Sequence, residues 1–161
     1  IPAMLTSFQK LYTYRFEGYW RDIGTIESIW DTNMDLIRPD NDLDLFSDSW
    51  KIYTKSSDLP PQYVGPTAKI CNSLISEGCQ IYGTVENSII FPGVTILENS
   101  LVKDSIIMSD TVIESDVAIR KAILCNHVLV HGKNEIGDGE TIEVVEEDSE
   151  IASDSYAKAV G

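Results

Sequence analysis

No run of apolar residues in this sequence approaches the ~20 that a membrane-spanning helix needs. Cations are scarce: 12 Lys+Arg stand against 26 Asp+Glu, a formal net charge of -14. That balance excludes a sequence-independent nucleic-acid binder, which needs a cationic surface to displace counterions from phosphates. It also excludes an anionic membrane surface as a partner. There are three cysteines, Cys71, Cys79 and Cys125, and no Cys-x-x-Cys spacing to read as a zinc or redox motif. Each lies in an apolar run and is expected to be a buried free thiol in a reducing, cytoplasmic setting. An initiator methionine and a charged-then-apolar leader are both missing, so the 161 residues are expected to be a piece of something longer. The chain is 43% hydrophobic and 24% charged, which is enough to bury a core and too apolar for wholesale disorder.

Residues 1–63 read as mixed structure. Tyr12, Tyr14 and Phe16 alternate, which predicts a short strand. The segment Glu17-Gly18-Tyr19-Trp20-Arg21-Asp22-Ile23-Gly24-Thr25 follows. Thr25 then predicts a helix N-cap, with Glu27 in the first turn, where the helix dipole favours a carboxylate. Ile26, Ile29, Trp30, Met34 and Ile37 recur at helical spacing on one face, and Pro39 stops the helix. Residues 41–49 read as loop, Trp50 to Tyr53 as a brief strand, and Ser56 to Pro61 as a linker.

From about Tyr63 the chain repeats itself. Asn72-Ser73-Leu74-Ile75 aligns with Asn87-Ser88-Ile89-Ile90, with Asp104-Ser105-Ile106-Ile107 and, more weakly, with Lys121-Ala122-Ile123-Leu124. In each copy an aliphatic residue returns six positions later: Ile75 and Ile81, Ile90 and Ile96, Ile107 and Ile113, Leu124 and Val130. The step is expected to continue through Ile136 and Ile142. A hexad supplies one short strand and one turn, and three such sides close a triangular coil. One side chain per hexad points inward and must be aliphatic to fill the narrow prism. Small or turn-prone residues (Ser73, Gly78, Ser88, Gly93, Ser105, Asp110) take the corners. This pattern predicts a parallel β-helix rather than a sandwich, because a sandwich has no reason to repeat Asn-Ser-aliphatic-Ile at a fixed phase. Four or five coils, at ~4.8 Å each, make a prism ~20 Å tall. The acidic run Glu143, Glu146, Glu147, Asp148, Glu150 then either repels an approaching strand edge or forms a solvated tail.

Tyr19 to Thr25 before a helix, then Pro60-Pro61, then a hexapeptide solenoid together resemble the C-terminal part of bacterial ADP-glucose pyrophosphorylases (glucose-1-phosphate adenylyltransferases). Matching segments run through nearly the whole chain: Phe16-Glu17-Gly18-Tyr19-Trp20, Asn33-Met34-Asp35-Leu36, Leu43-Asp44-Leu45-Phe46 before Trp50, and Pro60-Pro61-Gln62-Tyr63. The Trp-x-Asp-x-Gly-Thr element alone is shared by many sugar nucleotidyltransferases; the ordered set is narrower. The resemblance implies a mostly β fold. A small α/β remnant of a catalytic nucleotidyltransferase domain spans residues 1–58. A left-handed parallel β-helix with an acidic tail spans 59–161. It also implies an intact cytoplasmic enzyme that converts ATP and glucose 1-phosphate to ADP-glucose and pyrophosphate with Mg²⁺, on the route to glycogen. Such an enzyme is a homo- or hetero-tetramer open to a sugar-phosphate effector. The family's Gly-Gly-x-Gly-x-Arg-Leu signature, its catalytic-domain aspartate and its glucose 1-phosphate lysine region are not in this sequence. The chain by itself is therefore expected to be inactive and to serve oligomerisation and regulation.

Asp22 is the candidate catalytic residue and metal ligand. In the family pattern this aspartate lies at the mouth of the nucleotide site and binds Mg²⁺ with an aspartate from the missing domain. A triphosphate and a sugar phosphate repel each other, so a hard cation held by carboxylate oxygens must bridge them. From the residues alone, Asp22 serves equally well as the N-cap of the next turn. Glu17 and Trp20 are weaker substrate-binding candidates, with Tyr19 and Trp20 otherwise packing aromatics. Arg38 and Lys51 are candidate effector contacts. His127 and His131 raise a rival reading, a hexapeptide-repeat acyltransferase in which a histidine deprotonates the acceptor. Neither has an acidic partner at a telling spacing, so both read as exposed turn histidines, and that reading leaves Tyr19 to Thr25 unexplained. A third reading is an interaction module that self-associates through flat solenoid faces.

Overall fold

A computed structural model of the chain describes residues 2–7, 10–40, 43–54 and 58–153. From Tyr63 onward the chain winds through three parallel sheets that form the sides of a left-handed prism of about five turns. The first face stacks Tyr63–Val64, Gln80–Ile81, Thr95–Ile96, Val112–Ile113, Leu129–Val130 and Glu150–Ile151. The second stacks Lys69–Cys71, Thr84–Glu86, Leu101–Lys103, Ala118–Arg120 and Glu135–Ile136. The third stacks Leu74–Ile75, Ile89–Ile90, Ile106–Ile107, Ala122–Leu124 and Glu143–Val145.

Register puts like on like. Ile81, Ile96, Ile113 and Val130 are consecutive partners down the first face, and all four are fully buried. Val85, Val102 and Ile119 make the column of the second face, and Ile90, Ile107 and Leu124 that of the third. These side chains form one continuous core with Cys79, Val94 and Val128 at a corner. Strands of two or three residues are too short to stand alone; each interior one is held by the coils on both sides of it.

The corners explain the repeated Asn-Ser pair. Asn72, Asn87, Asp104 and Lys121 all adopt positive φ, from 42° to 50°, a conformation that Asn and Asp tolerate better than most residues. Their side chains form a ladder: Asn72 Nδ2 donates to Asn87 Oδ1 (2.8 Å), and Asn87 Nδ2 donates to Asp104 Oδ1 (2.6 Å). The next residue makes a second ladder. The hydroxyls of Ser73, Ser88 and Ser105 accept from the amides of Ser88, Ser105 and Ala122 at 3.0–3.1 Å. Each also donates to a carbonyl two residues back. Backbone groups that the turn takes out of the strand ladders are thus satisfied in the interior. One coil is two residues short, and there the chain turns at Gly83. A Cβ at that position would lie 2.6 Å from the Ser100 carbonyl oxygen and 2.8 Å from that of Leu97.

The third face is covered from outside. Helix α1 (Pro2–Thr6) lies exposed at the chain start, whereas helix α2 (Ile26–Asp35) packs on the solenoid. Met34 joins Ile106 and Ile123 in a second buried cluster, flanked by Ile29, Trp30, Ile37, Phe91, Met108 and Ile142. Thr25 is the N-cap, its hydroxyl accepting from Ser28 N (3.2 Å) while Ser28 Oγ accepts from Thr25 N (3.0 Å). Among the described residues, no helix is long and apolar enough to cross a membrane.

Several expectations need correction. Residues around Tyr12, Tyr14 and Phe16 form no strand, and all three side chains are exposed; among the described residues no second strand lies beside them to complete a ladder. Trp50 to Tyr53 is likewise not a strand and is exposed. The segment before the solenoid is therefore helical and irregular rather than α/β among the described residues. Ile26 stays half-exposed at the start of α2, outside its buried face. Cys71 is exposed, because it ends a strand of the first coil on the outward side; Cys79 is buried and Cys125 half-buried, and burial pushes both thiols up in pKa. The six-residue step breaks after Ile136. Residues 137–142 bulge out as a loop tied by Asp138 Oδ1, which accepts from the amides of Glu140 and Thr141. Ile142 therefore packs outside, beside Trp30, and Val145 takes the interior place next to Leu124.

Candidate functional site

Asp22 lies exposed in a shallow cleft with Trp20, Arg21, Ser28, Asp31 and Thr32. It is not the helix cap; that role belongs to Thr25. The residues on either side of the Asp22-Ile23 pair are fastened to α2. Arg21, just before it, donates from Nε to Asp35 Oδ2 at 2.8 Å and approaches the same oxygen through a terminal nitrogen at 2.6 Å. Gly24, just beyond, donates its amide to Ser28 Oγ at 3.1 Å. Asp35 is the anchor. Its carboxylate is buried, accepts from Tyr19 Oη at 3.1 Å, and pairs through Oδ1 with Arg38 at 2.6 Å. Burial by itself raises the Asp35 pKa, but the hydrogen bonds from Arg21 and Tyr19 and the charges of both arginines outweigh it, and the net shift is downward.

The remaining candidates scatter. Glu17 is exposed, 3.8 Å from Arg15. Trp20 is 73% exposed, so it is not a packing aromatic in this chain, while Tyr19 is half-buried against the Asp35 network. Arg38 is committed to Asp35 and also lies 3.9 Å from Asp31. Lys51 is exposed. Asp35 was not among the sequence candidates. The only trace of its role there is an acidic residue on the last turn of a helix, where the dipole disfavours it unless cations answer it.

The two histidines part ways. His127 occupies the corner shared in phase with Gly78, Gly93 and Asp110, and is exposed with φ 57°. His131 is held between acids that the sequence spacing did not reveal. Its Nε2 is 2.7 Å from Glu150 Oε1, and its Nδ1 is 3.3 Å from Glu114 Oε1. Glu114 Oε2 also accepts from the Gly132 amide at 3.0 Å. The three residues come from successive coils of unequal length, which only the register brings together. The Glu150 hydrogen bond raises the His131 pKa most, partial burial works against it, and Glu114 adds to the rise. With both ring nitrogens facing carboxylates, the imidazolium form of the ring is favoured.

Comparison with known proteins gives these features a setting. The chain is 46% identical over 158 residues to a glucose-1-phosphate adenylyltransferase of Clostridium botulinum, covering 98% of the chain and 41% of the relative. It is 47% identical over 143 residues to the enzyme of that name from Acetivibrio thermocellus, covering 88% and 33%. With that of Clostridium beijerinckii it shares 55% over 106 residues, covering 66% and 28%. The chain thus spans about two-fifths of the length of the curated relatives it matches. The solenoid itself, residues 61–151, matches the family model described as GlmU-like, C-terminal hexapeptide. Because that match takes in more than half of the 161 residues, the chain belongs to this hexapeptide-repeat family.

Proposed function

We propose that this chain is the C-terminal portion of a glucose-1-phosphate adenylyltransferase, an enzyme that forms ADP-glucose and pyrophosphate from ATP and glucose 1-phosphate in the cytoplasm. The observation that carries the reading is the 46% identity over 98% of the chain with an enzyme of that name. In this reading residues 1–58 complete a catalytic domain contributed mainly by the rest of the protein, and residues 59–161 are a scaffold for oligomerisation and for a sugar-phosphate effector. Asp22 is the catalytic residue of this portion. An exposed carboxylate in an open cleft suits a hard divalent cation as one oxygen ligand of several, and Mg²⁺ is the ion of choice for a phosphoryl-rich substrate pair. Bound there, Mg²⁺ supplies charge neutralisation between the triphosphate and the sugar phosphate. Glu17 and Trp20 are exposed on the same segment, and in this reading they are the substrate-binding side chains.

The hexapeptide acyltransferase alternative finds no support in the histidines. His131 is favoured as a cation, and among the described residues no carboxylate pairs with His127. The test is pyrophosphate release from ATP and glucose 1-phosphate with Mg²⁺. The chain alone is expected to give none, the full-length protein to turn over, and full-length Asp22→Asn to lose more than ~100-fold. Full activity of Asp22→Asn would remove the metal assignment, and acyl-CoA consumption by the chain would replace the whole reading.

A further inference from the structure

We infer that Trp30 is the positioning residue through which the solenoid fixes the place of Asp22. The inference rests on the reading of Asp22 as a metal ligand. The physical chain has three links. First, the Trp30 indole Nε1 donates to the carbonyl oxygen of Asp104 at 3.0 Å, bridging the helix to a solenoid corner. That corner is itself fixed, since Asp104 Oδ1 ends the ladder that starts at Asn72. Lys121, from the corner one coil further on, sits 6.0 Å from the centroid of the indole ring and donates from Nζ to the Glu140 carbonyl. The indole is therefore held at its edge and over its face by two successive coils. Second, Trp30 and Met34 lie on one side of α2, so the helix cannot slide or roll on the third face without breaking the indole bond. Third, α2 brackets Asp22 from both sides, through Arg21 to Asp35 and through Gly24 to Ser28. Asp22 has freedom of its own only across Asp22-Ile23. A ligand set shared with another part of the protein needs each oxygen within a fraction of an ångström of its place, and a rigid support provides that.

Trp30→Phe keeps an aromatic filler and removes the N–H. In this chain it is expected to speed amide exchange at Gly24 and Thr25 roughly five-fold, as one lost hydrogen bond of ordinary strength would, with exchange at Ile107 unchanged as the control for an intact solenoid. In the full-length protein it is expected to raise the Mg²⁺ concentration for half-maximal turnover by a similar factor while turnover at saturating Mg²⁺ is kept. Ser28→Ala, which opens the bracket and leaves Trp30 in place, should reproduce both effects. If Trp30→Phe does not fold, the unmodified chain decides: the indole N–H and the Gly24 and Thr25 amides should exchange as one unit across a denaturant series, and independent rates overturn the inference. Unchanged Mg²⁺ dependence in a folded Trp30→Phe also overturns it. Unchanged Mg²⁺ dependence in Asp22→Asn instead sinks the metal reading on which it rests.

Discussion

His131 shows how much a single residue can depend on register. Between Glu114 and Glu150 it links three successive coils, and its charged form is the one both carboxylates favour. The folded pKa is raised, so the stabilisation is fully present below the ordinary histidine value near ~6.5 and is lost as pH rises through the raised value. The stability difference between the native chain and His131→Gln, measured by urea unfolding, should therefore be larger at pH 5 than at pH 9. A difference that does not change with pH would show that the contact is not ionic. The same residue marks a limit of sequence reading. An acid 17 residues before it and another 19 after it carry no signal until the coil lengths are known. The interior aliphatics were legible because each obeys a local rule, one inward side chain per hexad, while His131 obeys a rule between coils.

At the level of elements, α2 was legible at both ends and along its face. Thr25 and Glu27 encode its start, and Ile29, Trp30, Met34 and Ile37 its buried side, through local sequence alone; the partner role of Ser28 in the cap was not legible there. The strand expected at Tyr12 to Phe16 rests on alternation, which reports only that one face suits burial, and the brief strand expected at Trp50 to Tyr53 has no stronger basis. A strand also needs a neighbour, and among the described residues none lies there. Asp22 was legible as a candidate from its motif, but the bracket around it was not, because Arg21 and Asp35 meet only after α2 has folded back on the segment. The bracket has a clear pH signature. The Asp35 pKa is depressed, so its contribution to stability is present above the ordinary carboxylate range and is lost as pH falls through the folded value. Asp35→Asn should remove that acid limb and leave two arginines without their shared anion. The expected cost is about 1–3 kcal/mol, tempered because both guanidinium groups are half-exposed. It should appear as faster amide exchange over residues 19–25, with the solenoid core unchanged; a uniform loss across the solenoid would mean that the clamp is not local.

Across the whole molecule the two ends of the prism differ. At the first coil, Tyr63, Val64 and Ile70 are exposed at 52%, 46% and 38%, beneath an incoming segment that donates only part of a lid. At the last coil each edge strand opens with an exposed glutamate: Glu135, Glu143 and Glu150. The residues one coil earlier in the same columns are Ala118, Ala122 and Leu129. Among the described residues, carboxylate enters these columns only in the last coil. A parallel solenoid has no intrinsic end, since any coil can template another, and three carboxylates facing an approaching edge make the next coil electrostatically unfavourable. Replacing Glu135 and Glu143 by glutamine keeps the side-chain length and the Glu150–His131 pair, and removes two of the three charges from the rim. Sedimentation at tens of micromolar should then show this variant forming end-on assemblies that grow with concentration, beyond whatever association the native chain has through its flat faces. Adding salt to the native chain should move it in the same direction, because screening weakens the same repulsion. If the variant sediments like the native chain, the glutamates are only a solvated rim, and the end of the prism must be closed by shape rather than by charge.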